Sequence, residues 1–160
     1  MAREHSYKAT ITWTGNLGEG TPDYRSYGRS HRIEIEGKPA LEGSADAAFL
    51  GDPQLHNPED LLLAAVSTCH MLWYLHLCSD AGISVLAYRD SVRGTMTQDA
   101  DGGGRFTSLS LHPEVTIAPG GDAAKAEALH GPASAKCFIA NSLNLPVDHK
   151  ATITVGEEPV

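Results

Sequence analysis

Apolar and polar side chains alternate near the start of the chain, and the same alternation returns close to its end. The alternation in residues 7–13, YKATITW, predicts a half-buried strand. After a loop rich in glycine, residues 26–37, SYGRSHRIEIEG, resume the extended pattern and end in a turn at Gly37. Residues 150–155, KATITV, predict the closing strand.

A long apolar segment in the middle of the chain, NPEDLLLAAVSTCHMLWYL, predicts a helix. Asn57 is a good N-cap and Pro58 suits the first helical position. Glu59 and Asp60 lie where the helix dipole favours acids, and Gly82 is the predicted end. Because the helix is apolar nearly all round, we expect it to be buried on most faces and to pack against a second subunit.

The second half of the chain predicts a hairpin followed by two helical pieces. Residues 83–98 and 105–118 flank the turn sequence DADGGG, which favours a long β-hairpin. Residues 122–130 predict a helix, and Pro132 then begins a second helical piece that contains Cys137. With antiparallel hairpins dominating, the order of elements predicts an α+β fold in one domain, residues 1–160.

Composition and charge narrow the classes of function. The chain has 160 residues and a net charge of −8, which argues against nucleic acid and against an anionic membrane surface as partners. We read no apolar run of the roughly 18–20 residues that span a bilayer, and the first residues lack the apolar middle of a secretory signal. We therefore expect a cytoplasmic protein with no membrane partner. In a reducing compartment its three cysteines are free thiols, metal ligands or redox-active groups.

Helical spacing relates the cysteines to their neighbours. One stripe of the central helix carries Leu62, Val66, Cys69, Trp73 and His76. Cys78 comes about half a turn away from Cys69, so these two thiols are poor candidates for a pair. The plausible pair is Cys69 with Cys137, because both are predicted on helical segments that are neighbours in a small core.

Each of these residues also has a simpler interpretation. A free cysteine is often a small buried hydrophobe, and it reacts only where its pKa is lowered. His70 and His76 are more often core or interface residues than catalysts, and their spacing with Cys69 and Cys78 is not that of a structural zinc site. Glu59 is most simply a helix-capping acid. Two arginines, Arg25 and Arg29, are most simply solvated strand residues.

A family resemblance changes this balance. The stretch NPEDLLLAAVSTC resembles the signature of the OsmC/Ohr family, the osmotically inducible protein C and organic hydroperoxide resistance proteins. Asn-Pro-Glu opens the central helix in that family, and the peroxidatic cysteine follows ten residues after the glutamate, as Cys69 follows Glu59. A second cysteine lies on a later helix, and Cys137 in HGPASAKCFIANSL matches it. The resemblance implies antiparallel sheets packed around long central helices in an intertwined homodimer.

The resemblance also implies a mechanism without a cofactor or a metal. The Cys69 thiolate would attack a hydroperoxide and become a sulfenic acid, and Cys137 would convert it to a disulfide. An arginine from the early strands, Arg25 in preference to Arg29, would stabilise the thiolate, and Glu59 would hold that arginine. An external thiol must then reduce the disulfide. Apolar neighbours would favour an organic hydroperoxide over hydrogen peroxide. The expected substrate-binding residues are Leu62, Val66, His70, Trp73 and Phe138.

Departures from the family pattern leave alternatives open. The early loop, GNLGEGTPDYRSYGR, is longer than in familiar members, and Phe138 stands where many members have proline. His70 could tune the thiol or only pack. One alternative is a protein of the same fold that binds a small hydrophobic ligand beside unreactive cysteines. Another is a metal-dependent enzyme that uses Cys69, His70 and His76.

Overall fold

The computed structural model describes residues 3–157. The chain forms two compact units that divide between Leu61 and Leu62. Organisation as a single domain over residues 1–160 stays a prediction.

A small antiparallel sheet forms the body of the first unit. Its strands are β1 (Thr10–Trp13), β2 (His31–Glu34) and β3 (Leu41–Gly43), in that order across the sheet. The first two match the predicted extended segments in part, and β3 is too short to show an alternating pattern. The predicted half-burial of β1 is wrong for this chain, because Ile11 is 63% exposed and Trp13 is also exposed.

The central helix, α1 (Pro58–Asp80), has the predicted start and end. Asn57 Oδ1 accepts the backbone N–H of Asp60 at 2.8 Å, and Asp60 Oδ2 accepts the N–H of Asn57 at 3.4 Å. These reciprocal bonds form a capping box. At the other end Gly82 has a left-handed φ of 73°, and the N–H of Ile83 donates to the carbonyl of Cys78 at 2.8 Å. This is the geometry of a Schellman stop.

Only one stripe of α1 is buried, so the prediction of burial on most faces is wrong for this single chain. The stripe consists of Val66, His70, Tyr74 and Cys78, at the four-residue spacing of one helix face. Leu72, on another face, is 63% exposed. The expectation that no apolar run is long enough to span a bilayer is wrong for α1, which could cross a membrane by length and composition alone; one such helix is weak evidence, because core helices of soluble proteins meet the same criterion.

The predicted long hairpin is present, but its two halves belong to different sheets. The outer strands, β4 (Val85–Asp90) and β7 (Pro113–Ile117), pair with each other, as do the inner strands, β5 (Arg93–Gln98) and β6 (Gly104–Leu111). Both pairings are antiparallel. The chain changes sheet between β4 and β5 and again at His112.

Two later strands complete these sheets by parallel pairing. Strand β8 (Val147–His149), which the sequence pattern did not predict, lies beside β6. The predicted closing strand is β9 (Thr152–Val155), and it lies beside β7. The α+β class is confirmed, with parallel as well as antiparallel pairs.

Two short helices precede these last strands. In α2 (Ala123–Ala128) the side chain of Asp122 caps the N-terminus by accepting the N–H of Lys125. The next helix, α3 (His130–Lys136), begins two residues before Pro132, which is tolerated because the first turn of a helix needs no N–H donors. The prediction that Cys137 lies inside this helix is wrong. Cys137 is the C-cap, with an extended backbone at φ −67° and ψ 107°.

The core of the second unit packs α1 against β7 and both short helices. Its buried members are Tyr74, Cys78, Ile83, Val115, Ile117, Ala126 and Ala133. Because Ala133 of α3 and Tyr74 of α1 belong to the same cluster, this core holds α3 beside the central helix.

Candidate active site

Two thiols from different elements lie next to each other in the second unit. Cys69 is on α1 and is partly exposed, whereas Cys137 follows α3 and is 1% exposed. The two side chains are close enough for each thiol to affect the other electrostatically, and both are free thiols. The pair therefore consists of one thiol on a partly exposed residue and one thiol on a buried residue.

The buried thiol is held by the backbone around it. The Cys137 thiol donates to the carbonyl oxygen of Val66 at 3.9 Å, and the N–H of Ala140 donates to its sulfur at 3.4 Å. The pKa of Cys137 is raised to about 11, mainly by burial; the N–H groups of Ala140 and Ile139 oppose this shift, and the neighbouring Cys69 contributes to it. Cys137 is therefore protonated at neutral pH, which leaves Cys69 as the candidate for the attacking thiol.

The third cysteine lies elsewhere, as its helical phase predicts. Cys78 is fully buried in the core beside Tyr74, and burial raises its pKa. A thiol in such a place is a packing residue.

Two aromatic side chains lie near the thiols: Trp73 comes one helical turn after Cys69 on α1, and Phe138 directly follows Cys137. The rings of Trp73 and Phe138 meet edge to face with centroids 5.8 Å apart, and Phe138 is 69% exposed. Lys136 extends its ammonium group over the Trp73 ring, 5.2 Å from the centroid. No local pattern in the sequence marks Lys136, because its relation to Trp73 depends on how α3 packs. Trp73 and Phe138 form an apolar surface with a cation beside it.

The remaining apolar residues of the predicted set are separated. Val66 is fully buried and meets the second thiol through its carbonyl group. Leu62 lines an open groove of about 580 Å³ together with Arg105, Phe106, Thr107, Leu143, Asn144, Leu145 and Pro146.

His70 turns towards a second histidine, His130, that no sequence pattern relates to it. Its Nε2 lies 2.9 Å from Nδ1 of His130, and both side chains are 1% exposed. Burial lowers the pKa of His70 to about 4; His149 lowers it as well, and Asp90 acts in the opposite direction. His70 is therefore neutral at pH 7 and supplies no positive charge to a thiolate. No spacing in the sequence relates His130 to His70, since 60 residues separate them.

The predicted acid and arginines belong to the first unit. Glu59 is in the first turn of α1, and within residues 3–157 its carboxylate has no ion pair. Arg29 is engaged: its guanidinium donates to the carbonyl oxygens of Tyr24 and Tyr27 and lies 4.5 and 4.2 Å from their ring centroids. The side chain of Arg25 is exposed and makes no such bonds in the part of the chain described. The roles of Glu59 and Arg25 stay predictions.

The metal alternative has little geometric support. Among residues 3–157, no three His, Cys, Asp or Glu side chains are grouped so as to hold a metal ion. His76 instead meets Asp80 at 3.5 Å on the exposed side of α1.

Solved structures of the same fold come from several bacteria. An OsmC-like protein of unknown function from Vibrio cholerae is 27% identical, with a TM-score of 0.83 over 93% of this chain and 100% of its own. An organic hydroperoxide resistance protein from Elizabethkingia anophelis is 19% identical, with a TM-score of 0.70 over 96% and 100%. The organic hydroperoxide resistance protein OhrB of Bacillus subtilis is 20% identical, with a TM-score of 0.61 over 91% and 98%. The fold is thus that of the OsmC and organic hydroperoxide resistance proteins.

The sequence itself supports the same assignment. The model of the OsmC-like protein family matches residues 51–152, more than half of the chain. The protein belongs to the OsmC-like family, which confirms the resemblance drawn from the helix signature. A search of curated proteins finds no match.

Proposed function

We propose that this protein is a thiol-dependent peroxidase that reduces organic hydroperoxides in oxidative stress defence. The observation that carries the proposal is the thiol pair, in which partly exposed Cys69 is backed by buried Cys137. Membership of a family that includes organic hydroperoxide resistance proteins supports it.

The proposed chemistry has three steps. The Cys69 thiolate attacks a peroxide oxygen, the O–O bond breaks, and the alkoxide leaves as an alcohol after taking up a proton, so Cys69 becomes a sulfenic acid. The Cys137 sulfur then bonds to Cys69 Sγ while the S–O bond breaks, and the thiol proton of Cys137 leaves with the hydroxyl as water. An external thiol reduces the disulfide by exchange and returns both cysteines to thiols.

An arginine is the proposed source of positive charge at Cys69. His70 is neutral at pH 7, so it does not fill this role. Arg29 already donates to two backbone carbonyls, whereas the exposed guanidinium of Arg25 is available. We assign activation to Arg25, oriented by Glu59, because a planar guanidinium can meet a carboxylate on one edge and a thiolate on another.

The surroundings of the thiols favour an organic substrate. The apolar surface of Trp73 and Phe138 gains free energy by burying an alkyl chain, which hydrogen peroxide does not have. The apolar faces of α1 that stay exposed in the single chain support a homodimer in which a second copy covers them. Three free thiols fit a reducing compartment such as the cytoplasm.

Counting thiols under anaerobic conditions tests the proposal. Reduced protein treated with one equivalent of tert-butyl hydroperoxide should lose two thiols per chain and form the Cys69–Cys137 disulfide. Cys69→Ser should lose none, and Cys137→Ser should lose one and yield a dimedone-reactive Cys69. The matched control, Cys78→Ser, should behave as the unmodified chain does, since Cys78 lies in the core.

The second candidate, a protein that binds a small hydrophobic ligand, predicts a different result. It is favoured by the exposed aromatic surface at Phe138. In that case Cys69 would alkylate slowly near neutral pH, and hydroperoxide would remove thiols equally slowly from the unmodified chain and from Cys69→Ser. This outcome would refute the peroxidase.

A further inference from the structure

A hydrogen bond between two buried imidazoles joins the elements that carry the two thiols. His70 Nε2 and His130 Nδ1 are 2.9 Å apart, the ring planes differ by 3°, and the centroids are 5.2 Å apart. The centroid separation exceeds the N–N distance by about the width of one ring, so the rings meet edge to edge. One nitrogen donates its proton and the other accepts it.

The position of this bond relates it to both cysteines. His70 follows Cys69 directly on α1. His130 is the first residue of α3, a seven-residue helix whose C-cap is Cys137. The position and orientation of α3 at its first residue therefore determine where Cys137 lies relative to Cys69.

A second contact also connects His130 to α1. The ring of Tyr74, one turn after His70 on α1, stacks on the ring of His130 with centroids 3.9 Å apart and planes 11° apart. His130 is thus held by its edge and by its face. The stack restricts tilting of the imidazole, and the hydrogen bond restricts sliding of α3 along α1.

Burial of this pair has a cost that packing alone does not explain. His130 Nε2 has no hydrogen-bond partner among the described residues, and an unsatisfied buried polar atom costs about 1–3 kcal/mol. Apolar side chains of similar volume would hold two helices together without that cost. What two imidazoles add is a directional bond, which has a narrow range of distances and angles.

We propose that the His70–His130 hydrogen bond positions Cys137 for disulfide formation with Cys69. The inference rests on the proposed function in that the disulfide is the step it serves. A disulfide needs two sulfurs about 2 Å apart in a restricted dihedral geometry, so a small displacement of α3 lowers the rate and the equilibrium of its formation. Both histidines are positioning residues, since the bond acts through α3.

Thiol–disulfide equilibrium with glutathione measures this positioning without any hydroperoxide. The effective concentration of Cys137 relative to Cys69 is obtained from the fraction of disulfide in anaerobic glutathione buffers at neutral pH. His130→Leu removes the bond, and the effective concentration of Cys137 should fall about fivefold to tenfold, which lies within the range of roughly twofold to thirteenfold for one lost hydrogen bond. Folding is checked by circular dichroism, and His70→Met is the second disruptive variant if His130→Leu does not fold.

A paired substitution separates the directional bond from simple packing. In His70→Gln with His130→Asn, the Gln amide reaches the place of Nε2 and the Asn amide reaches the place of Nδ1. This pair should restore the effective concentration to within about twofold of the unmodified chain. His76→Gln is the matched control, because His76 lies on the same helix but on its exposed side.

The outcomes distinguish this inference from the proposed function. An unchanged effective concentration in the disruptive variant, or the same loss in the paired amide variant, overturns the positioning role. Hydroperoxide is then added to the reduced chains: a disruptive variant should accumulate more dimedone-reactive Cys69 and less disulfide than the control. If hydroperoxide oxidises no chain while the glutathione results are as expected, the peroxidase fails and the positioning role stands.

Discussion

Acidification should destabilise the protein through His70 and His130. Their pKa values are lowered to about 4 and about 3, mainly by burial; His70 and His149 contribute to the shift of His130, and His149 contributes to that of His70 while Asp90 opposes it. In the unfolded chain each returns to the ordinary value of 6.5. Between pH 6.5 and about 4 the unfolded chain therefore binds more protons than the folded chain, so the free energy of unfolding falls as the pH falls.

The size of the effect at pH 5 depends mainly on the unfolded chain. Both folded-state pKa values lie below 5, so at pH 5 each histidine takes up a proton mainly when the chain unfolds. The free energy of that protonation corresponds to the about 1.5 units between pH 5 and the ordinary histidine pKa. At about 1.4 kcal/mol per unit this is about 2 kcal/mol for each histidine and about 4 kcal/mol for both, as an upper bound. Such a loss is a large part of the 5–15 kcal/mol that is typical of a folded domain.

Urea unfolding of the reduced protein between about pH 7.5 and 5, followed by circular dichroism, measures this loss. The midpoint should fall by about 1–2 M urea for a slope near 2 kcal/mol per M. His70→Gln with His130→Asn has no imidazole at either position and should lose less than about 1 kcal/mol over the same range. An equal loss in the unmodified and amide chains would show that other groups cause it, and the argument from histidine burial would be wrong.

Three further predictions concern the arginines, a tight glycine and the oligomeric state. Arg25→Met should slow alkylation of Cys69 at neutral pH about tenfold or more, whereas Arg29→Met should mainly destabilise the chain; equal alkylation rates in the Arg25 variant and the unmodified chain would remove Arg25 from the mechanism. Gly94→Ala should lower the free energy of unfolding by about 1–2 kcal/mol, since the added Cβ would lie 2.8 Å from atoms of both Leu63 and Phe106. The control, Gly131→Ala, should not, because nothing lies within 4 Å of its Cβ. Thermal melts compare the two variants. Sedimentation at micromolar concentration should give a dimer, and a monomer there would contradict the proposed covering of α1.

Local signals determined the elements that need no distant partner. The Asn57–Asp60 capping box and the left-handed Gly82 define α1 from short-range backbone requirements, so its bounds could be predicted from sequence. The DADGGG turn likewise specifies the strands on either side of it. The family signature around Cys69 is also local, because it consists of one cap and one helical spacing.

Long-range packing determined the rest. Parallel pairing of β8 with β6 joins segments that are far apart in the chain, and no local turn sequence indicates this pairing. The end of α3 just before Cys137 and the bond from His70 to His130 both depend on how α3 packs on α1. The sequence by itself thus determined the central helix and the place of Cys69 on it. Only the tertiary structure decided which thiol is buried and which histidines meet, because burial and side-chain pairing arise from contacts that no local period encodes.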